Sequence, residues 1–238
     1  MEHIFKCEVK DLKLKINAGS IKHFAITFSK REDIQIVAMG DLSQYSIQNE
    51  RTYIEIRTTD KTVISLPDDK ITIVESLVID LPEEMTPHLD LQAIDSYVVL
   101  DYQHEQAFPT IRIDGVGINT ELKNITSNVS FNALNSILKT DGLLGNIDIN
   151  GLNTTLNVYN IQETNLKVNG LAATITIHEE GQPSNFNIKV MGLNATVRYH
   201  QYEKKGLGKI TFQSPQISGA PYCNISGTGV KTTITIHE

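Results

Sequence analysis

Seven small residues divide the chain from residue 89 onward into units of one pattern: Ala93, Gly117, Ala133, Gly151, Gly170, Gly192 and Gly229. One residue after these anchors stand Ile94, Ile118, Leu134, Leu152, Leu171, Leu193 and Val230. Five after stand Val98, Leu122, Leu138, Leu156, Ile175, Val197 and Ile234, and four before stand Leu89, Ile113, Val129, Ile147, Leu166, Ile188 and Ile225. All three columns are aliphatic. The phrase TITIHE, at 174–179 and again at 233–238, is the most visible part of this repeat. A repeat of this kind commits a chain to stacking copies of one small unit, because no single unit can bury its own apolar face.

Each unit reads as two short strands flanking a corner. Apolar and polar residues alternate on both sides of the anchor, which is the period of a strand. Two residues after the anchor, Asn119, Asn135, Asn153 and Asn194 recur, with Asp95 in the same place. Gly and Asn suit a corner because both accept left-handed backbone angles at low cost. The anchors recur 16 to 24 residues apart, then after one gap of 37. About 18–22 residues is one turn of a parallel β-solenoid. The expected fold is therefore all-β, a parallel β-solenoid with short strands and aliphatic columns as its core. An Asn ladder at Asn119, Asn135, Asn153 and Asn194 would line the corner. Asp148 and Lys167 should be neighbours on adjacent coils, and the long gap should hold a degenerate coil around Ile210 and Phe212 with a loop at GLGK.

Residues 1–76 do not follow the frame. FAITF, IQIVA, YIEIRT and KTVISL are strand-like, and we read them as an irregular β region capping the same stack, with residues 77–238 forming the repeat. SLVIDLPEEMTPHLDL reads as strand, proline break, strand, and QHEQAFPT at 103–110 as a loop.

At this point a resemblance can be named. LVIDLPEEMTPHLDLQAIDSYVVLDY, followed by IDGVGINTEL, NGLNTTLNV and NGLAATITI, resembles the bacterial putative-adhesin β-strand repeat family over roughly residues 20–238. That resemblance implies a solenoid-like all-β fold and no established enzymatic activity.

Composition excludes several classes. Among 238 residues the formal net charge is −7 and no basic run occurs, so nucleic acid is not an expected partner. No stretch approaches the ~20 apolar residues of a membrane helix. The N-terminal MEHIFKCEVKDLKLKINAGS alternates charged and apolar residues, unlike a signal peptide, so a cytoplasmic chain is expected. A piece of a longer protein would instead be surface- or envelope-associated. Cys7 and Cys223 are read as free thiols rather than a disulfide framework.

Candidate chemistry is sparse. His178, His200 and His237 share one column, and His178 and His200, expected on adjacent coils, are the candidate metal ligands. Zn²⁺ needs three or four ligands, and His237 is expected two coils from His200, so a polar residue at a strand exit is the stronger reading. The acids Asp95, Asp101, Asp114, Glu121, Asp141 and Asp148 fall in different columns and do not form the carboxylate pairs of a β-helix hydrolase. GLGK lacks the spacing of a phosphate loop. No catalytic residue and no cofactor is assigned. The expected function is a non-catalytic scaffold or binding module whose partner is a protein or a cell-envelope polymer. The alternative is a carbohydrate-active or carbohydrate-binding β-helix protein. Self-association is expected at the C-terminal end of the stack, where the last strand would otherwise leave an open edge.

Overall fold

Alternation drives almost every described segment into strand. The structure, a computed structural model, describes residues 2–6, 13–17, 21–40, 45–50, 53–58, 74–102, 107–179 and 183–237. The irregular start supplies β1 (Glu2–Lys6), β2 (Lys13–Asn17), β3 (Ile21–Ser29), β4 (Asp33–Met39), β5 (Tyr45–Glu50) and β6 (Tyr53–Thr58). Next come β7 (Val74–Pro82), β8 (His88–Ile94), β9 (Tyr97–Asp101), β10 (Ile111–Val116) and β11 (Asn119–Lys123). Long strands complete the chain: β12 (Thr126–Asp141), β13 (Leu144–Tyr159), β14 (Thr164–His178), β15 (Asn185–Tyr199), β16 (Tyr202–Gln213) and β17 (Tyr222–His237). All join one 17-stranded sheet, and the described residues contain no helix.

The sheet is curled and mixed rather than wholly parallel, which corrects the expectation of a uniform parallel solenoid. From β8 to β15 neighbouring rungs pair in parallel and in register. Antiparallel pairs appear at β1–β4, β4–β7, β5–β6 and β15–β16. The strands are also longer than expected. In β12 and β13 the two arms of a unit form one 16-residue strand. Pairing runs through the corner, missing only Asn135 and Asn153.

The two TITIHE phrases lie side by side. Thr174 pairs with Thr233, Ile175 with Ile234, Thr176 with Thr235, Ile177 with Ile236 and His178 with His237. β17 pairs on its other side with β15. The last strand is therefore interior, inserted between two strands that precede it in sequence. This corrects the expected end of the stack: the C-terminal strand is no open edge. The 37-residue gap holds no coil. Residues Tyr202–Gln213, including GLGK, form β16, which runs antiparallel along β15 and covers its edge. The N-terminal rung is inserted in the same way. β2 lies between β6 and β8, and β3 between β7 and β9, all in parallel.

Column four before the anchor is core as expected: Val129, Ile147, Leu166, Ile225 and Ile188 are at most 2% exposed. Full burial of each such side chain stabilises by roughly 1.5–3 kcal/mol. Column one after the anchor is not core. Leu134, Leu152, Leu171, Leu193 and Val230 are exposed. The anchor points inward (Ala93 and Ala133 are 3% exposed), so its successor lies on the opposite face of the pleat, and parity outweighs aliphatic character.

The second anchor also moves. Gly115, not Gly117, pairs with Ala93 and Ala133. The anchors need to be small because of a close approach. A Cβ on Gly151, Gly170, Gly229 or Gly192 would overlap the carbonyl oxygen of the anchor on the preceding rung. The left-handed angle sits two residues later, at Asp95, Gly117, Asn135 and Asn153, with φ of 48°, 66°, 49° and 54°.

Candidate binding face

One outer face of the stack carries three parallel columns, at one, three and five residues before the anchors. Strand pleating puts all three on the same side, about 7 Å apart across the strands and about 4.8 Å apart along the stack.

The outermost column is asparagine on five consecutive rungs. Asn146 Nδ2 donates to Asn128 Oδ1 at 2.6 Å, and Asn165 Nδ2 to Asn146 Oδ1 at 2.9 Å. Asn224 Nδ2 donates to Asn165 Oδ1 at 3.0 Å, and Asn187 Nδ2 to Asn224 Oδ1 at 3.3 Å. A second ladder runs beside the corner. Asn132 Nδ2 donates to Asp114 Oδ1 at 2.7 Å, Asn150 Nδ2 to Asn132 Oδ1 at 3.0 Å, and Asn169 Nδ2 to Asn150 Oδ1 at 3.1 Å. Thr228 Oγ1 closes it by donating to Asn169 Oδ1 at 2.8 Å. Every donor in both ladders points toward the N-terminal end of the stack, so the amide dipoles add.

Each interior Asn uses one N–H and one oxygen lone pair within its ladder. Asn132 also donates to Ser130 Oγ at 3.3 Å, while each of the others keeps one further N–H and one further lone pair for a ligand. The face is thus a lattice of alternating donors and acceptors held in fixed rotamers. Between the ladders runs a charged column that includes Ser130, Asp148, Lys167, Ser226 and Lys189. Lys167 Nζ stands 3.6 Å from Asp148 Oδ1, the neighbour relation expected from sequence. Asn146, Asp148, Asn165, Lys167, Asn224 and Lys189 line a shallow depression here.

The predicted corner column is arranged differently. Asn153 Nδ2 donates to Asn135 Oδ1 at 3.0 Å. Asn119 pairs with Ile137, two positions beyond this column, and Asn194 lies beside Lys231. The continuous ladders are those five and one before the anchor, and the sequence reading missed both. Their signal was present: Asn128, Asn146, Asn165, Asn187 and Asn224 stand at one offset from five anchors.

The histidines stand beyond the corner, eight residues after the anchors. β17 separates β14 from β15, so His178 and His200 are not on adjacent rungs, and His237 lies between them. His178 stacks flat on Tyr159 with ring centroids 4.4 Å apart, and on His237 at 5.8 Å. His200 Nε2 stands 3.6 Å from Glu179 Oε2, whose other oxygen accepts from Ser184 N at 2.7 Å. Lys139 Nζ sits 5.2 Å from the centre of the Tyr159 ring. Among the described residues no group of three His, Cys, Asp or Glu is placed to hold a metal ion.

The acids are dispersed by intervening bases. Lys123 pairs in register with both Asp101 and Asp141. Glu121 bonds to Lys123 at 3.3 Å and stands 3.6 Å from Lys139. Burial opposes its ionisation, but these lysines and Tyr97 outweigh burial and hold the carboxyl below its ordinary range. Burial, with the Glu121 charge, pushes the Tyr97 hydroxyl up. Asp114 accepts from Arg112 Nε at 2.8 Å.

Cys223 is free and fully buried, and burial pushes its thiol up. Cys7 lies outside the described residues.

No family model matches the chain, and no curated protein matches it. Among solved structures, the chain is similar to a putative cell adhesion protein from Clostridium sporogenes, at 14% identity, TM-score 0.35, with 100% of this chain and 99% of that chain covered. It is also similar to a putative adhesin from Bacteroides fragilis, at 14% identity, TM-score 0.45, covering 100% of this chain and 96% of that one. A putative adhesin from Parabacteroides distasonis is 9% identical, with TM-score 0.42 and coverage of 100% and 96%.

Proposed function

We propose that this chain is a non-catalytic binding module, adhesin-like in character, whose ligand is a repeating cell-envelope polymer held on the amide-ladder face. In this reading the parallel rungs are the body of a β-solenoid, closed at its ends by antiparallel strands. The carrying observation is the pair of hydrogen-bonded Asn ladders, which fix free donors and acceptors at the spacing of the rungs. A ligand with its own regular polar repeat gains one contact per rung without ordering any protein side chain, so little conformational entropy opposes binding.

The test is sedimentation with insoluble cell-wall polymer, comparing the intact chain with an Asn150→Leu, Asn165→Leu variant. The wild type should pellet with the polymer, and the variant should stay in the supernatant while retaining its circular dichroism. A wild-type chain that does not pellet, or a folded variant that pellets equally, overturns the reading.

A further inference from the structure

The corner of the stack carries an apolar ridge that the binding face does not use. It consists of the residues that follow the anchors: in rung order Ile94, Val116, Leu134, Leu152, Leu171 and Val230, with Leu193 beyond them. Val116, Leu134, Leu152 and Val230 are 38–43% exposed, Leu171 is 56% and Leu193 is 65%. Single exposed aliphatic residues are ordinary, whereas a continuous file spanning about 29 Å along the stack marks a docking surface.

The charges beside the ridge identify what docks. In the adjoining column Asp95 is exposed at one end, and Lys231 is exposed five rungs away. Between them stand Gly117, Asn135, Asn153 and Ala172, which carry no charge. This pattern is self-complementary under a two-fold axis between Leu134 and Leu152. There Leu134 faces Leu152 of a second copy, Val116 faces Leu171 and Ile94 faces Val230. Asp95 of each copy then meets Lys231 of the other, and Asn135 meets Asn153, whose amides can bond one another. The parallel alternative brings Asp95 to Asp95 and Lys231 to Lys231.

We propose that this ridge is a homodimer interface, formed by two copies of the chain packed antiparallel along their corners. The ladder five residues before the anchors, the column farthest from the ridge, stays free in that arrangement, so the dimer would present two polymer-binding faces. A strip three columns wide lies at the small end of specific interfaces, so the dimer should be weak, half formed at about tens of micromolar.

Sedimentation equilibrium on the intact chain, from about 1 to about 300 µM, tests this. A reversible dimer is expected. Leu134→Gln with Leu152→Gln should abolish it without unfolding, because both side chains are already exposed. Lys231→Glu should weaken it at least about threefold by opposing Asp95, and adding Asp95→Asn, which keeps a residue tolerant of the left-handed angle, should recover most of that loss. A wild-type monomer throughout the range overturns the proposal, as does a dimer that survives the leucine substitutions. A monomer that binds lipid vesicles would assign the ridge to a membrane surface instead. A dimer lost with the leucines but indifferent to Lys231→Glu overturns the antiparallel register.

Discussion

His178 and His237 end two identical phrases far apart in the chain, and their rings stack on adjacent strands at 5.8 Å. The relation places the C-terminal strand inside the sheet, with β14 on one side and β15 on the other. A strand paired on both sides exchanges its amide hydrogens late, and an edge strand early. Peptides covering Tyr222–His237 should be among the slowest to exchange, and those covering Tyr202–Gln213, which pair on one side only, among the fastest of the long strands. Hydrogen–deuterium exchange by mass spectrometry reads this directly. Rapid exchange across Ile225–Ile236 would contradict the inserted strand.

Two glycines in that strand should respond in opposite ways to alanine. Gly229 is an anchor, and a Cβ there overlaps the carbonyl oxygen of Gly170, a backbone atom that cannot rotate away. Gly229→Ala should cost about 2–4 kcal/mol or prevent folding. Gly227 occupies a core column, where a Cβ would meet Val168 O at 3.4 Å and side chains only at 3.8 Å. Gly227→Ala should be neutral or stabilising by about 0.5–1 kcal/mol, since it narrows the unfolded ensemble and fills open space. Urea titrations of the two variants separate the cases.

The contrast between these glycines shows what the repeat made legible and what it hid. Alternation marks inward positions without reference to any neighbour, so the columns at Val129 and Leu138 were readable from the chain alone. The corner at Asn135 and Asn153 was readable too, because few residues accept its left-handed angle. Stacking order was not. β14 offers the same aliphatic columns to β15 and to β17, and nothing local to either strand says which becomes its neighbour. The second anchor misled for a related reason: Gly115 and Gly117 are both small, and only pairing with Ala93 distinguishes them. The ridge at Leu152 and Leu171 was misassigned because aliphatic identity was allowed to override parity. The ladder through Asn146 and Asn165 needed only a count back from the anchors.

Asp80 ties the end of β7 to the turn after β3. Its carboxylate accepts from Thr27 Oγ1 at 2.9 Å, Ser29 Oγ at 2.6 Å and Arg31 Nη1 at 3.0 Å. Burial raises its pKa, but these donors outweigh burial and hold it below the ordinary value of 3.8. A carboxyl with a folded value below its unfolded one stabilises the fold above the unfolded value. That contribution drains away as pH falls through the folded value. Asp80→Asn should cost about 1–3 kcal/mol at neutral pH. It should also flatten the loss of stability below about pH 4. Thermal melts of both proteins between pH 2 and 7 check this. Parallel wild-type and variant curves would remove Asp80 as a source of acid sensitivity.

Cys223 provides an independent measure of how firmly the inserted strand is held. It is the second residue of β17, pairs with Thr164 on one side and Phe186 on the other, and is 0% exposed. Only the thiolate reacts with disulfide reagents or alkylators, and burial both disfavours that form and blocks access. Labelling therefore requires the strand to separate from at least one neighbour. The chain has two cysteines, so a Cys7→Ser variant isolates the signal. In that variant the native protein should react at least about a thousandfold more slowly than the urea-unfolded chain. The rate should rise when Ile234→Ala loosens the core beneath the strand, a substitution expected to cost about 2–5 kcal/mol. Fast labelling of the native chain, or a rate unmoved by Ile234→Ala, would mean that β17 leaves its place without disturbing the rungs on either side.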